Sequence, residues 1–258
     1  MAEQTEHIEQ REQTTRPKEG SKTLVPIMPE LKKPIVIYVL GPPGAGKGTL
    51  CKKIQQKYDI KHISIGDWLR AEVAKQTDTG NLVKIYVKRG DLVPDQIIKN
   101  ILSEEFFAPK PINEVCPALL IDGFPRKVTQ IPDFDEIEPA IVLFFDCQGH
   151  VARNRVLTRI DGSRTRDTSD VFARRYAEFE KENPAVLDHF VKAGKEVVKI
   201  DTSGDTKKSW NGLTEQLDRS TAWKEMLAKL EADFETVVSY DSPTAEAETQ
   251  VEMRPWFG

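Results

Sequence analysis

Three cysteines among 258 residues are too few for a disulfide framework. Cys51, Cys116 and Cys147 sit in or beside apolar segments without paired metal-ligand spacing, so they read as reduced core thiols of a cytosolic protein. Basic residues do not run in blocks and the net charge is −4, which gives no support for a nucleic-acid-binding surface. No apolar run approaches the roughly 20 residues needed to cross a bilayer, and no membrane partner is expected. The first 33 residues also lack the apolar core of a secretory signal, and their six Glu residues are unlike an acid-poor transit peptide. A cytoplasmic location is the expectation; an address read by a receptor would leave no compositional trace in such an arm.

What is present begins with a short apolar run. Ile35, Val36, Ile37, Val39 and Leu40 around Tyr38 read as a buried strand, and the chain then runs GPPGAGKGT. Gly41, Gly44, Gly46 and Gly48 permit a tight turn and let several backbone N–H groups approach one anion, with Pro42 and Ala45 between them. Lys47 adds a point charge. From there Leu50, Cys51, Ile54 and Tyr58 recur at helical spacing, so the loop opens into a helix whose N-terminus favours negative charge. Strand, cradle and helix together form a polyphosphate-binding loop of the G-x-x-x-x-G-K type. Gly48 stands where a hydroxyl residue usually follows the lysine, and the hydroxyl comes one place later, at Thr49, which weakens its candidacy as a direct Mg²⁺ ligand. A dinucleotide fingerprint fits less well, because the third glycine falls one residue early and Lys47 lies within the loop.

The rest of the body alternates strands with helices. Strands are expected at 60–65, 118–121, 140–145 and 196–200, with helices around Trp68–Ala74, from near Leu82, and from a cap at Asp95 through Ile97, Ile98, Ile101, Leu102 and Phe106. Five strands separated by helices give an α/β fold, a three-layer sandwich around a five-stranded parallel sheet. Polar residues at the carboxyl ends of its strands then collect in one crevice, which puts Lys47, Asp122 and Asp201 on one face. Between the last two strands lie Arg153, Arg155, Arg159, Arg164, Arg166, Arg174 and Arg175. Arg153, Arg166 and Arg174 read as solvated, while the polar excursion Asp161, Gly162, Ser163, Arg164, Thr165 looks like a lid whose arginines can close over phosphates.

Four motifs in one order, GPPGAGKGT, SIGDWLR, DGFPRKVTQ and RVLTRIDGSRTRDT followed by ARRY, resemble the nucleoside monophosphate kinases, and most closely the adenylate kinase family. The resemblance spans roughly residues 35–217 and implies reversible transfer from ATP to AMP, giving ADP, with Mg²⁺. It implies that Gly41, Pro42, Gly44, Ala45, Gly46, Lys47, Gly48 and Thr49 hold the donor phosphates, together with Arg159. Arg70 and Arg126 match residues gripping the acceptor phosphate, with Gly123 beside them, and Gln130 matches the glutamine that reads adenine. Arg159, Arg164 and Arg175 match arginines closing on the transferring group, and Asp122 matches the acid under Mg²⁺, acting through water. Ile65 replaces the small or hydroxyl residue usual in the acceptor pocket, and Arg166 stands where relatives carry a second Asp.

The implied organisation is a flexible arm at 1–33 and a kinase domain at 34–220, with an acceptor-binding insertion at about 64–93 and a short lid at about 159–168. An extension follows at 221–258. Trp223, Met226, Leu227, Leu230, Phe234 and Val237 recur at three- and four-residue intervals and predict an amphipathic helix packed on the same domain, followed by an acidic tail and a closing Pro255, Trp256 and Phe257. UMP/CMP kinase, or an adapter that docks proteins through its terminal extensions, are the alternative functions.

Overall fold

The central strand owes its place to alternation. β1 (Ile35–Leu40) sends Ile37 and Val39 into one apolar cluster and Val36, Tyr38 and Leu40 into the other, so both faces of the strand are buried. The computed structural model describes residues 34–58, 60–107, 116–131, 138–159 and 168–240, with side chains for all of these except residues 105 and 233–240. The expected N-terminal arm, most of the lid including Arg164 and Arg166, and the acidic tail lie outside the described residues.

β1 lies between β3 (Ala118–Asp122) and β4 (Pro139–Asp146), with β2 (Lys61–Ser64) beyond β3 and β5 (Val197–Asp201) beyond β4. All four pairings are parallel, giving the five-stranded parallel α/β sheet expected from the sequence. The register aligns the carboxyl ends: Asp122 stands opposite Val39 on one side and Ser64 on the other. After β3 the chain passes over β1 to reach β4, and a crevice opens at that change of direction.

Helices cover both faces. α1 (Lys47–Tyr58), α5 (Gly149–Leu157), α7 (Thr206–Arg219) and α8 (Thr221–Tyr240) pack on the Ile37 and Val39 side. α2 (Ile65–Lys75), α3 (Asp78–Arg89) and α4 (Asp95–Ile101) pack on the Tyr38 side, joined there by Val186 and Phe190 of α6 (Ser169–Lys192). Trp223 of α8 is 1% exposed and meets the Tyr58 ring edge-on at 5.0 Å, so the helix after the last family motif is part of the core. Emptying such a site typically costs about 3–5 kcal/mol.

Several boundaries differ from the sequence reading. The strand expected to reach Ile65 stops at Ser64, because the Ser64 hydroxyl accepts a hydrogen bond from the Asp67 N–H and starts α2. α3 begins at Asp78 rather than near Leu82, since Thr77 caps it by accepting from the Gly80 N–H. Asp95 is the first residue of α4 rather than its cap, and its carboxylate is used elsewhere, as shown below. β5 extends to Asp201, which pairs with Asp146. Among the described residues no helix is long and apolar enough to cross a membrane.

Candidate active site

The loop from Gly41 to Gly46 joins β1 to α1 at the crevice. Gly44 has a φ of +86°, and a Cβ there would lie 2.3 Å from the carbonyl oxygen of Ala152 in α5, so the backbones touch where only glycine fits. Gly46 has a φ of +79° with open space where a side chain would go, and Gly48 faces open space too. Ala45 N–H donates to Pro42 O at 3.2 Å, while the Thr49 and Leu50 N–H groups both donate to Gly46 O and start the helix. The Lys47 and Gly48 N–H groups come before these bonds and have no carbonyl further back in the helix, which makes this end a natural anion seat. Thr49 is exposed on that first turn.

Lys47 crosses back over the loop, its Nζ donating to Gly41 O at 2.8 Å and Pro42 O at 2.9 Å. Burial pushes its pKa down to about 8; Asp122 opposes the shift, while Arg126 and Arg175 add to it. Arg126 Nε donates to Gly123 O at 2.9 Å. Burial lowers its pKa to about 10, Arg175 and Arg70 push the same way, and Asp122 and Glu178 resist. A Cβ on Gly66 would lie 3.3 Å from the Arg70 guanidinium and 3.8 Å from that of Arg126, so these two arginines converge above the start of α2. Arg70 is also paired with Asp67. Gly41, Lys47, Gly123, Arg126, Arg175 and Glu178 line a single cleft.

Asp122 ends β3 at the floor, only 5% exposed. Its Oδ2 lies 3.7 Å from His62 Nε2. Nearby, burial drives the Cys51 thiol well above its ordinary pKa, and Asp122 adds to that shift. A buried carboxylate at the floor and an exposed hydroxyl on Thr49 are oxygen donors compatible with Mg²⁺ that keeps most of its water and phosphate ligands.

Gln130 closes a short 3₁₀ turn (Val128–Gln130) and is 4% exposed. Its Oε1 accepts from the Arg126 N–H at 2.7 Å, and its Nε2 donates to Asp95 Oδ1 at 3.0 Å. Thr129 Oγ1 donates to the other Asp95 oxygen at 2.8 Å. An N–H on one side and a carboxylate on the other leave a single orientation for the amide.

Not every candidate reaches this cleft. The Ile65 side chain is 3% exposed and packed in the core with Leu69 and Ile63, so its bulk is taken up by the interior. Arg159 follows α5, partly buried, and is not among the described residues of the cleft wall. Asp201 ends the edge strand β5, where its carboxylate accepts from the Ser203 N–H at 2.9 Å. Arg164 lies outside the described residues.

Arg155 is a residue the sequence reading left without a role. Its guanidinium donates to Thr202 O at 2.7 Å, to Gly44 O at 3.5 Å and to Gly204 O, tying the phosphate loop to the turn after β5. Its three-residue spacing from Ala152, on the buried face of α5, was the available signal that it faces inward.

Residues 39–195 match the family model described as adenylate kinase. Adenylate kinase 1 of Schistosoma mansoni is 36% identical over 193 residues, covering 74% of this chain and 96% of that protein. The UMP-CMP kinase of Homo sapiens is 33% identical over 195 residues, covering 72% and 98%. UMP-CMP kinase 3 of Arabidopsis thaliana is 38% identical over 168 residues, covering 64% and 80%. A glycine-rich loop at the centre of a parallel sheet, arginines converging across the cleft from it, and a match over most of the kinase body lead to one assignment: the chain belongs to the adenylate kinase family of nucleoside monophosphate kinases.

Proposed function

We propose that this nucleoside monophosphate kinase takes AMP as its acceptor and transfers a phosphoryl group reversibly from ATP, giving two ADP. The observation that carries phosphoryl transfer is the crowding of Lys47, Arg126 and Arg175 in one cleft, where Arg126 and Arg175 lower the proton affinity of Lys47 and Arg175 that of Arg126. Cations held against their mutual repulsion are relieved by a polyanion, and relieved most by one whose charge spreads during transfer.

Each chemical role follows from position. Lys47 and the N-terminus of α1 hold the donor phosphates, while Arg70 and Arg126 hold the acceptor phosphate with planar forks suited to bidentate contact. An acceptor phosphate oxygen is nucleophilic at neutral pH, so alignment and charge neutralisation are sufficient without a dedicated base. Asp122, through water, and Thr49 are the donors on this chain for Mg²⁺, which when bound neutralises phosphate charge. Arg175 already borders the cleft; Arg159 and Arg164 are assigned to closure over the transferring group.

AMP is favoured by Gln130. Its amide is buried beside Arg126 and fixed in orientation, which leaves one N–H and one lone pair for a base that both donates and accepts. The relatives named UMP-CMP kinase, at comparable identity, favour pyrimidine acceptors as the second reading. A coupled assay with ATP, Mg²⁺ and a panel of AMP, UMP, CMP and GMP decides between them. AMP is expected to give the highest kcat/KM; preference for UMP or CMP overturns the assignment, and no transfer to any acceptor turns attention to docking through the extensions.

A further inference from the structure

Behind the cleft floor, three side chains from three elements converge on one buried point. Cys51 comes from α1, His62 from β2 and Asp122 from the end of β3, and one donor atom of each lies within 4.8 Å of the others. Cys51 is fully buried and the His62 and Asp122 side chains are 8% and 7% exposed. His62 Nε2 faces Asp122 at 3.7 Å, beyond hydrogen-bonding distance, and has no hydrogen-bond partner among the described residues although it is shielded from solvent. An orphaned buried nitrogen is uncommon and calls for an explanation, such as an ion.

Sulfur, imidazole nitrogen and carboxylate oxygen are the donors of a borderline-soft cation, whereas Mg²⁺ takes oxygen. Around a tetrahedral zinc ion, with bonds of about 2.0–2.3 Å, neighbouring donors stand roughly 3.3–3.8 Å apart. The His62–Asp122 separation already falls in that range, and Cys51 requires a contraction of about 1.3 Å at most. We propose that Cys51, His62 and Asp122 form a three-ligand site for a divalent cation of the zinc class, and that its occupation blocks phosphoryl transfer.

The block follows from what Asp122 does when the site is empty. With Cys51 it opposes the loss of charge on Lys47, and with Glu178 that on Arg126. Committing it to a tightly held cation withdraws it from Mg²⁺ and adds positive charge to an already cationic cleft. The same ion cross-links α1 to β2 and β3. As the metal–sulfur bond forms, the Cys51 thiol proton leaves to solvent. Gly123, next in the chain after Asp122, lines the cleft, so the site lies directly behind the cleft wall. The binding claim stands whichever nucleotide is the acceptor.

Co²⁺ titrated into the full-length, nucleotide-free protein tests the site directly. The expected result is a thiolate-to-cobalt charge-transfer band saturating at one ion per chain and abolished by Zn²⁺. Cys51→Ala, Cys51→Ser and His62→Gln should each weaken binding by about tenfold or more and leave metal-free transfer intact. Each should raise, by a similar factor, the free Zn²⁺ that halves transfer at saturating Mg-ATP. Cys147→Ala, at another buried thiol, should change neither. Absence of the band, or a band that survives both Cys51→Ser and His62→Gln in folded protein, overturns the site. A band that behaves as expected while Zn²⁺ leaves transfer unchanged overturns the inhibition.

Discussion

The phosphate loop and the lobe of α2, α3 and α4 across from it are held in place by different means. On the loop side the backbone itself is fixed: Gly44 lies against the Ala152 carbonyl, β1 is buried on both faces, and Arg155 ties the loop to the turn after β5. On the far side position depends on side chains leaning on side chains, Arg70 on Asp67 and Gln130 on Asp95, and α3 leaves Leu82 and Ile85 exposed by more than half. The loop side is thus held largely by its main chain, whereas the acceptor side, with the base selection proposed for Gln130, hangs on a few side-chain hydrogen bonds that single substitutions can reset. Relatives bearing adenylate kinase and UMP-CMP kinase names at similar identity fit such a division.

The contrast breaks if the loop side proves tolerant. Lys47→Met should lower kcat about a thousandfold with an unchanged circular dichroism spectrum, because a preorganised charge at the transferring group is removed; turnover near wild type would show that the loop charge is not used. Arg155→Ala should cost about 2–3 kcal/mol in urea unfolding, since carbonyls in two loops lose a charged donor, and a change within experimental scatter would remove Arg155 as the tie.

Two smaller effects sharpen the contrast on substrate. Gln130→Ala should lower kcat/KM for AMP about tenfold while leaving KM for ATP in place, and equal losses for both nucleotides would take Gln130 out of base selection. Below pH 8 Lys47 is charged in the empty protein and above it neutral. ATP affinity measured by calorimetry should therefore weaken as pH rises through about 8, by up to about tenfold per unit, because bound phosphate favours the protonated lysine. The same shift has the opposite sign for folding. Between about 8 and 10.5 the unfolded lysine keeps a proton that the folded one has lost, so this group adds stability to the empty protein as pH rises across that window.

What the sequence made legible was whatever is local. Alternating apolar residues reveal β1, and glycine spacing reveals the loop, because both patterns repeat over a few positions. The motifs that carry Arg70, Asp122, Arg126 and Gln130 are short for the same reason. What remained hidden comes from pairs distant along the chain. Asp95 and Gln130 are 35 residues apart, and Arg155 reaches Gly44 across 111. No periodicity in either segment encodes such a meeting. Ile65 shows a subtler failure: its motif position was legible, but the Ser64 cap turns the strand end into a helix and directs that side chain into the core.

Trp223 has one more consequence. Trimming this chain to its recognisable motifs would end it near Leu217 and remove the indole that closes the core over Tyr58, at the far end of the same helix that begins at Lys47. The shortened polypeptide would retain each described residue assigned to chemistry, and the first sign of damage would be poor recovery from expression rather than slow catalysis. The recognisable enzyme is therefore shorter than the foldable one.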